Sequence, residues 1–267
     1  MTESFQCELR TVNRVSPSTL EFLFETSDAR TVEFEPGQFF RFTFSDGAGE
    51  FERSYSLCNR ALDPSGQLQL VVSEVEGGRA TRLLFEAKPG LVADVSGPFG
   101  RLLVPKPRPA RLVMVATSVG IAPFIPMLSL LSKELEDLQV VLLFGVRDEA
   151  EFLYRDDLLK LREHPSFDLR VCYSRQSSNQ SFEYDGYVTN QIDSIAPDPE
   201  RDHFLICGNP QMIDDAYGLL KPLGFKPRQV TREKYVFAKT AATKLTGPTA
   251  AQKELIAQKL AALKKKT

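Results

Sequence analysis

The rhythm of apolar residues changes once along this chain, and the change falls at a run of alternating prolines, Pro105-Lys106-Pro107-Arg108-Pro109. Ahead of it lie CELRTV, TLEFLFET, QFFRFTF, ERSYSLCN, QLQLVVSEV and LVADVSG, each short enough for a strand and separated from the next by Gly, Pro, Asp or Ser. Only ATRLLFEAK, residues 80–88, reads there as a helix. Many short strands in a row predict an antiparallel barrel or sandwich. Beyond the prolines, RLVMVATS, QVVLLFGVR, FDLRVCYSR, DHFLICGN and RQVTREKY read as strands. Between them lie the helical patterns PFIPMLSLLSKEL, YRDDLLKLREH, YVTNQIDSI and QMIDDAYGLLKPLG. Strands alternating with helices predict a doubly wound parallel sheet, with right-handed crossovers and ligands at the carboxyl ends of its strands. Alternating prolines remove backbone donors and favour extended chain, which makes this run a linker.

The expected organisation is therefore an all-β unit over residues 1–105, an α/β unit over 106–235 and an extension over 236–267. In the extension, Thr249 and Gln252 have the spacing of a capping box, and Leu255, Ile256, Leu260 and Leu263 form an apolar stripe ahead of three lysines. That pattern predicts a surface helix docked by one face.

Composition removes several function classes. A net charge of −2 gives no reason to expect nucleic-acid binding. Cys7, Cys58, Cys172 and Cys207 include no close pair, which argues against a zinc site, a CxxC redox pair or a clustered iron–sulfur centre and fits a reducing compartment. Two histidines, His164 and His203, give little support to a histidine metal site, so no metal is expected. Residues 112–131 carry no charge and are long enough to span a bilayer, yet they contain Thr117, Ser118, Gly120, Pro123 and Pro126. A buried strand, turn and helix is the better reading, and with no signal peptide visible at the start the expectation is a cytoplasmic monomer without membrane insertion.

The stretch Arg53-Ser54-Tyr55-Ser56 meets three demands of a flavin dinucleotide: a cation for the diphosphate, a flat face for the ring and a hydrogen bond near its reacting edge. In a strand, Arg53 and Tyr55 share one face, and Ser54 and Ser56 the other. Such a stretch is by itself also ordinary sheet surface. Gly77-Gly78-Arg79-Ala80-Thr81 opens the helix of this half, where free amides suit a phosphate; its plain alternative is a turn. In the second half ATSVGIAPF lies between strand and helix but is not GxGxxG, so the turn there is either a nucleotide loop or only a tight connection. Ser174-Arg175 after the third strand, with Arg147 ending the second, can grip a 2′-phosphate or be solvated surface. Cys207, four residues from His203, is about 13 Å away along a strand, too far to be activated by it.

Taken in order, RSYSLCN, GGRAT, GPFG at 97–100, VGIAPF, GVRDEAEFLYRDDL, YSRQ, CGNPQM and REKY resemble the ferredoxin–NADP⁺ reductases and their flavoprotein relatives over roughly residues 5–237. The resemblance implies a two-domain β + α/β fold: an antiparallel six-stranded FAD-binding β-barrel, then a doubly wound parallel-sheet NAD(P)-binding domain. It implies FAD held by Arg53, Ser54, Tyr55, Ser56, Leu57, Val71, Val72, Ser73, Gly78, Arg79, Ala80, Thr81 and Tyr235. It implies NADP(H) held by Thr117, Ser118, Gly120, Arg147, Ser174, Arg175, Tyr187, Cys207, Gly208 and Met212. Catalytic roles fall on Ser56, Cys207, Glu233 and Tyr235, with Tyr55 and Tyr235 on opposite flavin faces. The activity implied is reversible hydride transfer between NADPH and FAD, coupled to one-electron exchange with ferredoxin or flavodoxin. Two departures stand out: Ser118 replaces the family's usual glycine, and 32 residues follow Tyr235, where plant-type members end. Phe237 or the tail is then an alternative cover for the site. RSYSLCN is also similar to oxygenase reductases, many of which use NADH. The alternatives are thus an NADH-dependent oxygenase reductase, or a flavin-bearing subunit without reductase activity of its own.

Overall fold

A computed structural model of the chain describes residues 4–235. The helix expected in the extension, and Phe237, lie outside the described residues. The first sheet takes β1 Ser4–Ser16, β2 Thr19–Thr26, β3 Phe39–Asp46, β4 Gly49–Ser56, β5 Gln67–Ser73 and β6 Val92–Phe99, with α1 Arg79–Glu86 after β5. The six strands run antiparallel in the order β4-β3-β6-β1-β2-β5. Strict alternation drives this half. In β2 and β3 every second side chain is buried, and Phe22, Phe24, Phe40, Phe42 and Phe44 fill the interior. Each such ring contributes about 1.5–3 kcal/mol by leaving water.

The choice between barrel and sandwich is decided just past β4. The Cys58 N–H donates to Gln69 O at 2.9 Å. Asn59 extends the closure with its side-chain amide, donating to Gln67 O and accepting from the Gln69 N–H, each at 2.9 Å. The two edge strands are thereby joined, and the sheet closes as a barrel.

The second sheet contains β7 Arg111–Thr117, β8 Gln139–Val146, β9 Phe167–Tyr173, β10 Glu183–Asp185, β11 Asp202–Gly208 and β12 Val230–Lys234. All six are parallel, in the order β10-β9-β8-β7-β11-β12. Their central strands are continuous apolar runs because both faces are covered. One face packs on α2 Phe124–Leu131 and α3 Arg155–Leu161, the other on α4 Pro210–Leu220. Residues 112–131 form a strand, turn and helix as expected, and no described helix is long and apolar enough to cross a membrane.

The structure corrects three elements. β10 is an added sixth strand, three residues long and invisible to periodicity. Residues 187–195 are not an α-helix but two 3₁₀ turns, Val188–Gln191 and Asp193–Ile195, followed by Ala196 at φ 47°. Thr, Asn, Asp and Ser there compete for backbone hydrogen bonds and weaken a regular helix. The helix expected from Pro123 through Leu135 stops at Leu131.

The barrel seats on the face of the parallel sheet that carries α2 and α3, and Cys58, Val71, Leu102 and Val104 join that core. Polar contacts border the seam. Ser16 and Ser18 both donate to Glu151 Oε2, at 2.6 and 2.8 Å. Tyr154 donates to Glu21 at 3.2 Å, while Arg60 stacks over its ring at 4.9 Å and bonds Asp157. All four cysteines are buried.

Candidate functional site

Lateral register brings the carboxyl ends of the parallel strands level. Cys207 on β11 pairs with Ala116 on β7 and with Glu233 on β12. The chain end of β4 meets this edge from the barrel side: Ser56, buried, donates its hydroxyl to Glu233 Oε1 at 3.1 Å. The Tyr235 N–H donates to Gly208 O at 3.0 Å, and its hydroxyl lies buried beside Ser56 and Cys207 without a well-formed hydrogen bond. Four residues expected to act together, separated by up to 179 positions in sequence, therefore converge.

Electrostatics follow from that burial. Glu233's carboxyl is pushed above the usual carboxylate range by desolvation, with the Ser56 hydrogen bond acting against the shift. Burial, then the nearby Glu233 charge, pushes the Cys207 thiol well up. The same burial disfavours a Cys207 thiolate. His203 faces Thr231, at 3.3 Å, rather than the cysteine.

A second cluster lies on the barrel. Phe51 of β4 is flanked by Arg53, 5.6 Å from its centroid, and by Arg79, 4.4 Å from it. Arg79 opens α1 after the Gly78 cap, so both cations stand near the first amides of that helix. Arg79's guanidinium is already engaged, however: it donates to both Asp46 oxygens, at 2.8 and 2.6 Å, and to Gly49 O. Asp46 is held down to about 2 by the same contact. Arg53 makes no ion pair among the described residues and donates only to Glu52 O. Thr81 turns its hydroxyl inward to the carbonyls of Val75 and Gly78, so it fastens the turn. Ser54 is exposed, Leu57 and Ala80 are buried, and the half-buried Tyr55 packs edge-on to Phe42 at 5.9 Å. Val71 and Val72 are buried along β5, and Ser73 reaches Thr19 at 2.8 Å and Ser118 at 3.3 Å.

The turn after β7 carries its own signature. Ser118 sits at φ 50°, a left-handed conformation that costs a side-chain-bearing residue about 1–2 kcal/mol. A Cβ on Gly120 would lie 2.5 Å from Cys207 O and 2.6 Å from the Gly208 Cα. Gly120 thus lets the turn approach the β11 backbone closely. Gly208, at φ 128°, leaves equally little room beside Thr117, whose Oγ1 accepts the Asn209 N–H at 3.0 Å. Asn209 also caps α4, accepting from the Gln211 and Met212 amides, and Asn followed by Pro210 is the sequence signal for that helix start. Met212 is buried behind it.

At the far rim, Ser174 and Arg175 follow β9 and are exposed; the Arg175 side chain has no ion-pair partner among the described residues. The Arg175 N–H donates to Arg147 O at 2.8 Å, so the two arginines adjoin through backbone. The Arg147 side chain does not join the pair. It turns to the seam, donating to Ser18 at 3.0 Å and lying 3.5 Å from Glu151, where a carboxylate competes for its charge. Tyr187 presents 69% of its surface, the largest exposed aromatic described.

Two family models match the chain. Residues 6–103 match the oxidoreductase FAD-binding domain family, and residues 114–217 the oxidoreductase NAD-binding domain family. Ferredoxin–NADP reductase B of Sorangium cellulosum (strain So ce56) is 30% identical over 241 residues, covering 87% of this chain and 98% of that protein. The reductase component of propane 2-monooxygenase from Rhodococcus jostii (strain RHA1) is 26% identical over 236 residues, covering 84% of this chain but only 62% of its own. A cytochrome P450 reductase from Amycolatopsis superposes with a TM-score of 0.77 at 25% identity, over 87% of this chain and 69% of that one. A ferredoxin NADP⁺ reductase from Neisseria gonorrhoeae, solved with FAD and NADP, shares the fold at a TM-score of 0.76 and 24% identity, over 88% and 99% of the two chains.

Proposed function

Because the chain belongs to the ferredoxin–NADP reductase family of FAD- and NAD-binding oxidoreductases, we propose that it is an NADPH-dependent flavin reductase serving a separate one-electron carrier, a ferredoxin or flavodoxin. The observation that carries the reading is the convergence of Ser56 from the barrel with Cys207, Glu233 and Tyr235 from the parallel sheet. The division near residue 105 then separates a flavin-holding unit from a nicotinamide-holding one.

The residues fit an FAD. Arg53 and the first amides of α1, at Arg79, Ala80 and Thr81, would hold the diphosphate; the Gly78 N–H is taken by Val75 O. Val71, Val72 and Ser73 would run along the cofactor. Tyr55 and Tyr235 would bound the ring, and the Tyr235 hydroxyl is a buried polar atom with no well-formed hydrogen bond among the described residues. When bound, FAD supplies the exchange between a two-electron hydride and single electrons. The chain itself binds, orients and excludes water. Ser56 and Glu233 hold a proton between them at the reacting edge, and the neutral Cys207 thiol offers the nicotinamide a small, soft contact. Thr117, Ser118, Gly120, Gly208 and Met212 shape the nucleotide turn. Ser174 and Arg175 would take the 2′-phosphate, and Tyr187 would stack on adenine.

Anaerobic titration of the purified flavoprotein with NADPH and with NADH, followed by flavin absorbance, tests this directly. Bleaching at lower NADPH than NADH is expected. The likeness to the propane monooxygenase reductase component supports a second reading, an NADH-dependent reductase for an oxygenase. Tighter bleaching by NADH would replace the first reading with that one.

A further inference from the structure

A buried carboxylate behind the nucleotide rim has no part in the roles above. Glu183 opens β10 and is 5% exposed. The hydroxyl of Tyr173, itself 1% exposed at the end of β9, donates to Glu183 Oε1 at 3.0 Å. The other oxygen, Oε2, accepts the backbone N–H groups of Asn179 at 3.0 Å and Gln180 at 3.1 Å. Two residues further on, Asp185 Oδ1 accepts the Ser178 N–H at 2.6 Å. The near end of the same turn is fixed as well. Ser174 N–H donates to Val146 O at 3.1 Å and Arg175 N–H to Arg147 O at 2.8 Å, while Gln176 Oε1 accepts from the Glu149 N–H at 3.0 Å.

Residues 174–180 are Ser, Arg, Gln, Ser, Ser, Asn and Gln, with no apolar side chain to dock the turn. Left to water, such a segment keeps its conformational entropy. Hydrogen bonds from amides to an ionised carboxylate are among the stronger ones available, and a buried carboxylate is tolerated only when its lone pairs are met. Here three donors meet them. Asp185 Oδ1 and Glu183 Oε2 both accept the turn's own amides, while the exposed Arg175 makes no ion pair among the described residues. An arginine held in place binds an anion more tightly than one that must first be ordered.

We propose that Glu183 is a positioning residue for coenzyme choice: through Tyr173, Asn179 and Gln180 it fixes the 174–180 turn so that Arg175 is presented to the 2′-phosphate of NADPH. The inference rests on the reading of Ser174 and Arg175 as the 2′-phosphate pair. It extends that reading to a residue that never touches the coenzyme.

The test measures kcat and KM with NADPH and with NADH for the flavin-loaded enzyme and for Glu183→Gln, Tyr173→Phe and Arg175→Ala. Glu183→Gln is expected to raise KM for NADPH about tenfold, and Tyr173→Phe about threefold, the scale of weakening one charge-assisted contact. kcat and the NADH parameters should hold, a split that general loss of structure does not produce. If Glu183→Gln yields no folded flavoprotein, Tyr173→Phe decides alone. Should Arg175→Ala lower NADPH preference while the folded Glu183 and Tyr173 variants keep it, or lose both coenzymes equally, the positioning role is overturned and the 2′-phosphate pair survives. Should Arg175→Ala itself leave the preference untouched, the underlying pair is wrong and the positioning role goes with it.

Discussion

Ser56, Cys207, Glu233 and Tyr235 meet where the two halves of the chain close on each other, whereas Ser174, Arg175 and Tyr187 stand on a rim in contact with water. At the seam Ser56 and Cys207 are buried, Glu233 and Tyr235 are half-buried against them, and the titrating groups are shifted in proton affinity. At the rim they are exposed, and their placement comes from backbone bonds behind them. The seam is thus shaped by the same packing that stabilises the fold, so under the proposed function changes there should alter chemistry and stability together. A change at the rim can alter what is recognised with little effect on either.

The largest effect should come from the seam. Glu233→Ala removes the carboxyl that Ser56 addresses, and stopped-flow hydride transfer is expected to slow about a hundredfold with FAD retained, the range typical of a positioned proton-holding group. A rate within threefold of wild type would remove Glu233 from the chemistry. At the rim, Arg175→Ala should raise KM for NADPH about tenfold and leave NADH kinetics and the melting temperature alone, since only a charge-assisted contact is lost. A fall in melting temperature of several degrees would break the contrast between seam and rim.

Proton linkage sharpens it further. The Glu233 carboxyl titrates higher in the folded protein than in the unfolded chain, so the fold favours its protonated form. Its contribution is fully present below the ordinary glutamate value of about 4.3 and is lost as pH rises through the raised folded value. In urea unfolding at a series of pH values, wild type should therefore lose stability relative to Glu233→Gln across that window. Parallel curves would show that the site is wetter than its burial indicates. The smallest effect belongs to the turn between the two regions. Ser118→Gly relieves a left-handed backbone but adds freedom to the unfolded chain, for a net gain of about 0.5 kcal/mol and roughly 1–2 °C in melting temperature.

The architecture was legible because it is written in periods. Alternating phenylalanines in β2 and β3 and unbroken apolar runs in β7, β8 and β11 report which faces are covered. β10 was not legible, since Glu183, Tyr184 and Asp185 form a strand only because β9 offers them a partner edge. The site was legible as a set of ordered motifs, but not in its engagements. Nothing near Arg147 in the sequence shows that Ser18 and Glu151 claim its side chain, nothing near Arg79 points to Asp46, and nothing near Gly120 to the β11 backbone. Those are contacts between distant segments, and local sequence does not encode them.

The sheltered cysteines have a consequence of another kind. Burial pushes the thiols of Cys7, Cys58 and Cys172 up to about 12 and that of Cys207 well above the ordinary thiol range. Peroxide and maleimides react with thiolates that they can reach. In the folded protein neither condition is met, even beside a cofactor that can generate peroxide from dissolved oxygen. The pace at which such reagents consume the cysteines is then set by how often the fold opens, and sulfur oxidation becomes a clock for unfolding.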